Sequence, residues 1–201
     1  MVDGTGNPEQ QIAGRAESLR QEKKPYKDVV ATYNDLLHKQ WGLQQKMQEE
    51  YERNASNPQT FLAFLEVHRD FALVSRHRDD LWGERGKTEL LLLAVRCQRA
   101  LNGDERARAA FCSQEALDDR QMAQESSTRP DAFYRDYRQS FLATGIRLPY
   151  PKDWKGKKLE DMTEEEWIAI QRGQDQERAA KLLKEAAAWT AMADAIKTRP
   201  A

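Results

Sequence analysis

Apolar residues recur three or four positions apart along most of this 201-residue chain. Such spacing puts them on one face of an α-helix, whereas a half-buried strand alternates apolar and polar residues. No stretch of useful length alternates in that way. The sequence therefore predicts an all-α fold, a helical bundle of about six or seven helices with long antiparallel helices and a long C-terminal helix.

The first long helix is predicted over Tyr26–Arg53, where an apolar stripe keeps heptad spacing. Asn57 and Pro58 then supply an N-cap and a proline at the first helical position, which predicts a second helix to about Trp82. Because only a short polar link joins the two helices, we expect them to form an antiparallel hairpin.

The helix predicted over Thr88–Leu101 contains Leu90–Leu93 and is apolar on nearly every side, which is typical of a central helix surrounded by others. Thr88 is expected to cap it. Further helices are predicted at Asp104–Cys112, Ser113–Gln124 and Pro130–Gly145.

Thr163 and Glu166 have the spacing of a capping box, so the last helix is predicted to begin there and to run towards Thr198. Its second half carries a seam of alternating small and large residues: Ala179, Leu182, Ala186, Trp189, Ala193 and Ile196. This seam has two interpretations. It packs against the first long helix, or its large residues bind a partner protein or a second copy of the chain.

The elements divide the chain into four predicted regions. A mobile N-terminal tail (1–24) with few apolar anchors and one short helix at most precedes a helical bundle core (25–145). An irregular basic and aromatic strap (146–162) contains Pro149, Pro151 and Gly156, which disfavour a helix. The long C-terminal helix (163–201) follows.

The strap is the second candidate binding region. Its cations and aromatic residues are interleaved: Lys152, Lys155, Lys157 and Lys158 with Tyr150 and Trp154. Cations contact phosphates and aromatic rings stack on bases, so this pattern fits nucleic acid. The following acidic run would cancel much of the local field, and the favoured interpretation is that Tyr150 and Trp154 attach the strap to the helical core.

Charge and composition restrict the function classes. Lys+Arg 32 against Asp+Glu 33 leaves a net charge of −1, which argues against a dedicated nucleic-acid binder. Two cysteines, Cys97 and Cys112, do not make a disulfide framework and are expected to be buried thiols. No signal peptide is visible, and the longest apolar run, Leu90–Val95, is far too short for a membrane span. The prediction is a cytoplasmic protein without a membrane partner.

Three motifs resemble catalytic or nucleotide-binding signatures only superficially. Gly86-Lys87-Thr88 lacks the first glycine and the preceding strand of a phosphate-binding loop. His68-Arg69-Asp70 and His77-Arg78-Asp79 both match a kinase triplet, but the rest of the kinase signature is missing. Since no histidine or cysteine has zinc-ligand spacing either, no catalytic, cofactor or metal site is predicted.

The function predicted from these features is a non-enzymatic α-helical protein–protein interaction module: an adaptor, assembly factor or inhibitor. The expected partner-binding residues are Leu182, Trp189, Ile196, Tyr150 and Trp154, because large apolar and aromatic side chains are favoured interface anchors. The alternative is a nucleic-acid-associated helical protein that uses Lys152, Lys155, Lys157 and Lys158.

Overall fold

A computed structural model describes residues 7–22, 28–53, 57–78, 83–103, 105–144 and 159–197. These ranges contain seven α-helices and a short 3₁₀ helix at Leu159–Asp161, which confirms the predicted all-α class. The α-helices are α1 (Pro8–Gln21), α2 (Val29–Glu52), α3 (Pro58–Ser75), α4 (Glu84–Asn102), α5 (Glu105–Ser127), α6 (Asp131–Thr144) and α7 (Glu164–Lys197).

The chain divides into two compact units. Unit 1 comprises the described residues of Met1–Gln114 and Ala188–Ala201, and unit 2 those of Glu115–Ala187. The first part of α5 and the last part of α7 thus belong to unit 1, and the remainder of both helices belongs to unit 2. Helical periodicity in the sequence shows where helices lie but not which of them pack together.

The helices α2 and α3 form the predicted antiparallel hairpin in unit 1. The side chain of Asn57 caps α3 by accepting a hydrogen bond from the Gln59 amide at 3.0 Å. Close to the link, the Thr60 hydroxyl donates to Glu50 at 2.9 Å. At the opposite end, the rings of Tyr33 and Phe71 lie 5.1 Å apart. Contacts at both ends fix the register of the pair.

The end of α3 differs from its prediction, since the helix stops at Ser75 and not near Trp82. After Ser75 the backbone tightens: the amides of His77 and Arg78 donate to carbonyls three residues back, each at 3.0 Å. The Arg78 guanidinium then lies 4.7 Å from the centre of the Tyr33 ring. The described residues that follow Ser75, up to Arg78, are therefore not part of the helix.

The prediction that α4 is surrounded on all sides is wrong. Its residues Ala94 and Cys97 are fully buried, but Leu92 is 58% exposed, so the helix is amphipathic. The start also differs: α4 begins at Glu84, and the Thr88 hydroxyl donates back to the Glu84 carbonyl at 3.0 Å instead of capping the helix. Because Leu90–Leu93 are consecutive leucines, the sequence did not indicate which side of α4 faces solvent.

The N-terminal region was predicted to be a mobile tail with one short helix at most. It contains instead the 14-residue helix α1, which packs on α3 and α4. Asn7 caps α1 through a 3.0 Å hydrogen bond from the Glu9 amide. Ile12 and Leu19 lie seven residues apart on one face of α1 and are buried against α3 and α4. Two well-placed aliphatic side chains are thus enough to dock this polar helix.

A helix break predicted at Ser113 is not observed, and the last helix runs without interruption as predicted. The Ser113 hydroxyl donates to the Ala109 carbonyl at 2.9 Å within a continuous α5, so Ser113 does not start a new helix. Gly173 lies within α7, which extends unbroken over 34 residues. The capping box at its start is confirmed by reciprocal backbone-to-side-chain hydrogen bonds between Thr163 and Glu166 of 3.0 and 3.2 Å.

Candidate interaction surface

The C-terminal seam contributes its central residue to the core of unit 1. Trp189 is 5% exposed, and its ring lies 5.6 Å from that of Phe64 on α3 and 6.1 Å from that of Phe111 on α5. Its ring partners within unit 1 are thus on α3 and α5, whereas the sequence predicted packing against the first long helix. In this conformation Trp189 offers almost no surface to a partner.

The other two seam residues that were predicted to bind a partner, Leu182 and Ile196, are half-buried. Leu182 belongs to unit 2, where its exposed neighbour is Leu183, and Ile196 belongs to unit 1. Ile196 lines a small apolar cleft together with Met47 and Phe61. The structure does not gather Leu182, Trp189 and Ile196 into one exposed patch.

The predicted strap residues cannot be placed. Tyr150 and Trp154 lie outside the described residues, as do the four lysines Lys152, Lys155, Lys157 and Lys158. Their roles as partner or nucleic-acid contacts stay predictions from the sequence.

An exposed cluster of three aromatic rings belongs to α6 in unit 2. Phe133, Tyr137 and Phe141 follow one another at intervals of four residues, and we call these three side chains the α6 aromatic face. The rings of Phe133 and Tyr137 stack with centroids 6.0 Å apart, and those of Tyr137 and Phe141 meet edge to face at 4.4 Å. Phe133 is 43% exposed and Tyr137 is 38% exposed, while Phe141 is half-buried.

A rigid base lies beneath the α6 aromatic face. Trp167 is completely buried, and its ring lies 6.2 Å from Tyr137 and 6.4 Å from Phe141. The indole nitrogen of Trp167 donates to the backbone carbonyl of Tyr134 at 3.0 Å, which ties α7 to α6. Because Trp167 is held by both packing and a hydrogen bond, the rings above it are preorganised.

Tyr134 strengthens the same base with a buried polar network. Its hydroxyl donates to Asp175 at 2.8 Å, and the Arg129 guanidinium donates to both oxygens of that carboxylate at 2.9 and 3.0 Å. Burial, followed by the hydrogen bond to Asp175, raises the pKa of Tyr134 to about 12. A phenol so firmly protonated is a structural hydrogen-bond donor and a poor acid catalyst.

Three arginines of unit 2 are paired with carboxylates of the same unit. Arg135 bonds Glu164 at 2.6 Å, and Arg172 bonds Asp131. Arg129, whose guanidinium lies 5.0 Å from the centre of the Phe133 ring, is bonded to Asp175. The Arg129 guanidinium against the Phe133 ring is therefore neutralised by a carboxylate, which suits an apolar ligand surface better than a phosphate backbone.

His68, the residue of the kinase-like triplet, belongs to the aromatic core of unit 1. Its ring stacks on Phe64 at 5.0 Å and meets Phe111 edge to face at 6.4 Å. Burial lowers the pKa of His68 to about 4, and the positive charge of Arg96 adds to this effect. His68 is therefore a neutral ring of the core at neutral pH.

Asp119 in unit 2 has the opposite perturbation. Burial raises the pKa of its carboxyl to about 7, and the carboxylates of Glu185 and Asp118 raise it further. A perturbed carboxyl is a candidate acid or base. The described neighbours that perturb it are both acidic, however, and supply neither a nucleophile nor an oxyanion donor.

The sequence did not single out α6 as a binding region, although it contained the spacing of Phe133, Tyr137 and Phe141. That spacing also fits a core-facing stripe, so the exposure of the rings had no signal in the sequence. The prediction of buried thiols is confirmed, since Cys97 and Cys112 are both buried and unpaired in disulfides.

No three His, Cys, Asp or Glu side chains in the described part of the chain are grouped so that they could hold a metal ion. None of the helices in the described ranges has the length and apolar character that a bilayer span requires. No protein-family model, curated protein or solved structure matches this chain.

Proposed function

We propose that the chain is a non-enzymatic helical interaction module that binds an apolar surface of another protein through the α6 aromatic face. The observation that carries the proposal is the exposure of Phe133 and Tyr137, 43% and 38%, in a ring cluster whose Tyr137 and Phe141 pack on the fully buried Trp167. Exposed aromatic rings on a rigid base are favoured interface anchors, because they contribute a large apolar area at a low entropic cost.

The charge pattern supports an apolar partner. Arg129, whose guanidinium lies 5.0 Å from the centre of the Phe133 ring, is already paired with Asp175 of unit 2, so a partner gains little by presenting its own charge there. A complementary patch of aliphatic or aromatic side chains would instead bury the ring surfaces and leave this ion pair at the rim.

The test is affinity capture from an extract of the native host, quantified by mass spectrometry and followed by direct titration of each captured protein in purified form. The double substitution Phe133→Ser and Tyr137→Ser should weaken binding of the true partner by at least about tenfold, which is typical of removing two hot-spot anchors.

Leu92→Ser is the matched control, because Leu92 is an apolar residue of unit 1 that is even more exposed, at 58%. It should leave partner binding unchanged. Equal binding by the Phe133/Tyr137 variant and the unsubstituted chain would contradict the proposal. So would a purified partner whose affinity falls only with Leu92→Ser.

A further inference from the structure

A groove formed by α3 and α4 in unit 1 holds α1. Its floor consists of the aliphatic residues Ala72 and Leu73 of α3 and Leu90 and Ala94 of α4, with Leu91, Leu93 and Val95 packed alongside. Only two α1 side chains, Ile12 and Leu19, are buried in it. The groove is thus long and apolar, whereas the helix that fills it is mostly polar.

The polar residues along one edge of this groove hydrogen-bond to one another without any contribution from α1. Arg69 donates to Asp70 at 2.9 Å and to Gln98 at 3.0 Å, and Gln98 donates to Asn102 at 2.9 Å. All four residues belong to α3 or α4. Because these groups satisfy one another, removal of α1 leaves no buried carboxylate without a partner on this edge.

Residues of α1 make further hydrogen bonds to the polar residues of that edge. The Arg15 guanidinium donates to both oxygens of Asp70, at 3.2 and 2.6 Å. The Gln11 side chain accepts hydrogen bonds from Gln98 at 3.1 Å and from Asn102. Recognition of the helix therefore combines aliphatic side chains seven residues apart with one arginine between them.

The side of α1 that faces α2 is open. A cleft runs between Arg15 and Leu19 of α1 and Asp35 and Leu36 of α2. The helix is therefore held mainly through one face, against α3 and α4, and is not enclosed by its neighbours. Few buried side chains and an open flank are the features of an element with low local stability.

We propose that the α3–α4 groove is a docking site for an amphipathic helix of another protein, and that α1 is an intramolecular competitor for it. The contacts of α1 define the chemistry of this partner: two aliphatic residues seven positions apart, a small residue between them, and an arginine that pairs with Asp70. The site is in unit 1 and does not depend on the α6 aromatic face of unit 2.

The test uses a fluorescein-labelled synthetic peptide with the sequence of residues 7–22, followed by fluorescence anisotropy. The full chain carrying Ile12→Ser and Leu19→Ser, in which α1 is released, should bind this peptide at least about tenfold more tightly than the unsubstituted chain does. The reason is that α1 competes at the high effective concentration of a tethered ligand.

Two control peptides test whether binding depends on these α1 side chains, and they require no further substitution in the protein. A peptide with Ile12→Ser and Leu19→Ser, and a second with Arg15→Glu, should each lose at least about tenfold in affinity for the α1-released chain. Equal binding of all three peptides would overturn the proposal. Loss of the helical circular dichroism signal in the α1-released chain would also overturn it, because α1 would then be an integral part of the core.

Two further outcomes separate this inference from its alternatives. A concentration-dependent dimer of the unsubstituted chain that disappears with Ile12→Ser and Leu19→Ser would show that the groove takes α1 of a second copy, and would overturn the assignment to another protein. The Phe133→Ser and Tyr137→Ser variant should bind the peptide as the unsubstituted chain does. Failure of the α6 proposal would therefore leave this result unaffected.

Discussion

The two units use aromatic residues with the same helical spacing in opposite ways. In unit 1, Phe64 and His68 on α3 are buried together with Trp189. In unit 2, Phe133 and Tyr137 on α6 have the same spacing of four residues but remain partly exposed. An aromatic repeat identifies one face of a helix, and only the packing of distant segments determines whether that face is covered.

The largest loss of stability should follow from truncating Trp189, a buried aromatic residue of unit 1. Trp189→Ala is expected to lower the free energy of unfolding by about 3–5 kcal/mol, because it removes a buried ring and leaves a cavity between α3 and α5. Urea titration followed by circular dichroism measures the change.

Trp41→Ala is the matched control for that substitution, since Trp41 is 56% exposed in the same unit. Its cost should be about 1 kcal/mol or less. Equal costs for the two tryptophans would contradict the placement of Trp189 in the core and would restore its interpretation as a partner-binding residue.

The second effect concerns acid stability of unit 1. Because the pKa of His68 is lowered from 6.5 to about 4 in the folded chain, the unfolded chain binds a proton more readily between these values. The stabilising contribution of the neutral ring is complete above pH 6.5 and is lost as the pH falls through 4. The expected loss is roughly 3 kcal/mol, measured as the free energy of unfolding against pH.

His68→Phe should flatten that pH dependence while it preserves the stack on Phe64. His38→Gln, at an exposed position of α2, serves as the control and should leave the slope unchanged. An unaltered slope in His68→Phe would show that another group is responsible for the acid sensitivity.

These first predictions depend on contacts that the sequence did not specify. Local signals were sufficient for the starts of α3 and α7: Asn57 and the pair Thr163 and Glu166 form the caps that their spacing predicts. The environment of Trp189 required two helices distant in sequence, and no local pattern encodes which helices meet. Likewise, the docking of α1 depends on the shape of a groove formed by α3 and α4.

The third prediction concerns Asp119 in unit 2, whose contribution to the free energy of unfolding changes with pH in the opposite direction to that of His68. The pKa of Asp119 is raised from 3.8 to about 7, so its favourable contribution is complete below pH 3.8 and is lost as the pH rises through 7. Asp119→Asn removes the penalty of the charged form. Since Asp119 is half-buried and partly screened by solvent, the expected stabilisation at pH 8 is only about 1 kcal/mol.

The measurement is the free energy of unfolding of Asp119→Asn and of the unsubstituted chain at pH 4 and pH 8. The gain should be present at pH 8 and absent at pH 4. Asp136→Asn, at an exposed position of α6, is the control and should change neither value by more than about 0.5 kcal/mol. A gain of equal size at both pH values would rule out the titration of Asp119 as its cause.

The smallest effect on stability is expected at the α6 aromatic face. Phe133→Ser should lower the free energy of unfolding by about 1 kcal/mol or less, because the ring is already partly in water. Thermal unfolding followed by circular dichroism gives the comparison with Trp189→Ala. A cost similar to that of Trp189→Ala would mean that Phe133 is covered in solution, and the contrast between the two units would fail.

The contrast between a closed and an open aromatic cluster is tested most directly by hydroxyl-radical footprinting of the unsubstituted chain, with each rate corrected for the intrinsic reactivity of the side chain. Phe133, 43% exposed, and Tyr137, 38% exposed, should be oxidised several-fold faster than Phe64, which is 1% exposed, and Phe111, which is 4% exposed. Protection of Phe133 and Tyr137 equal to that of Phe64 and Phe111 would contradict the account.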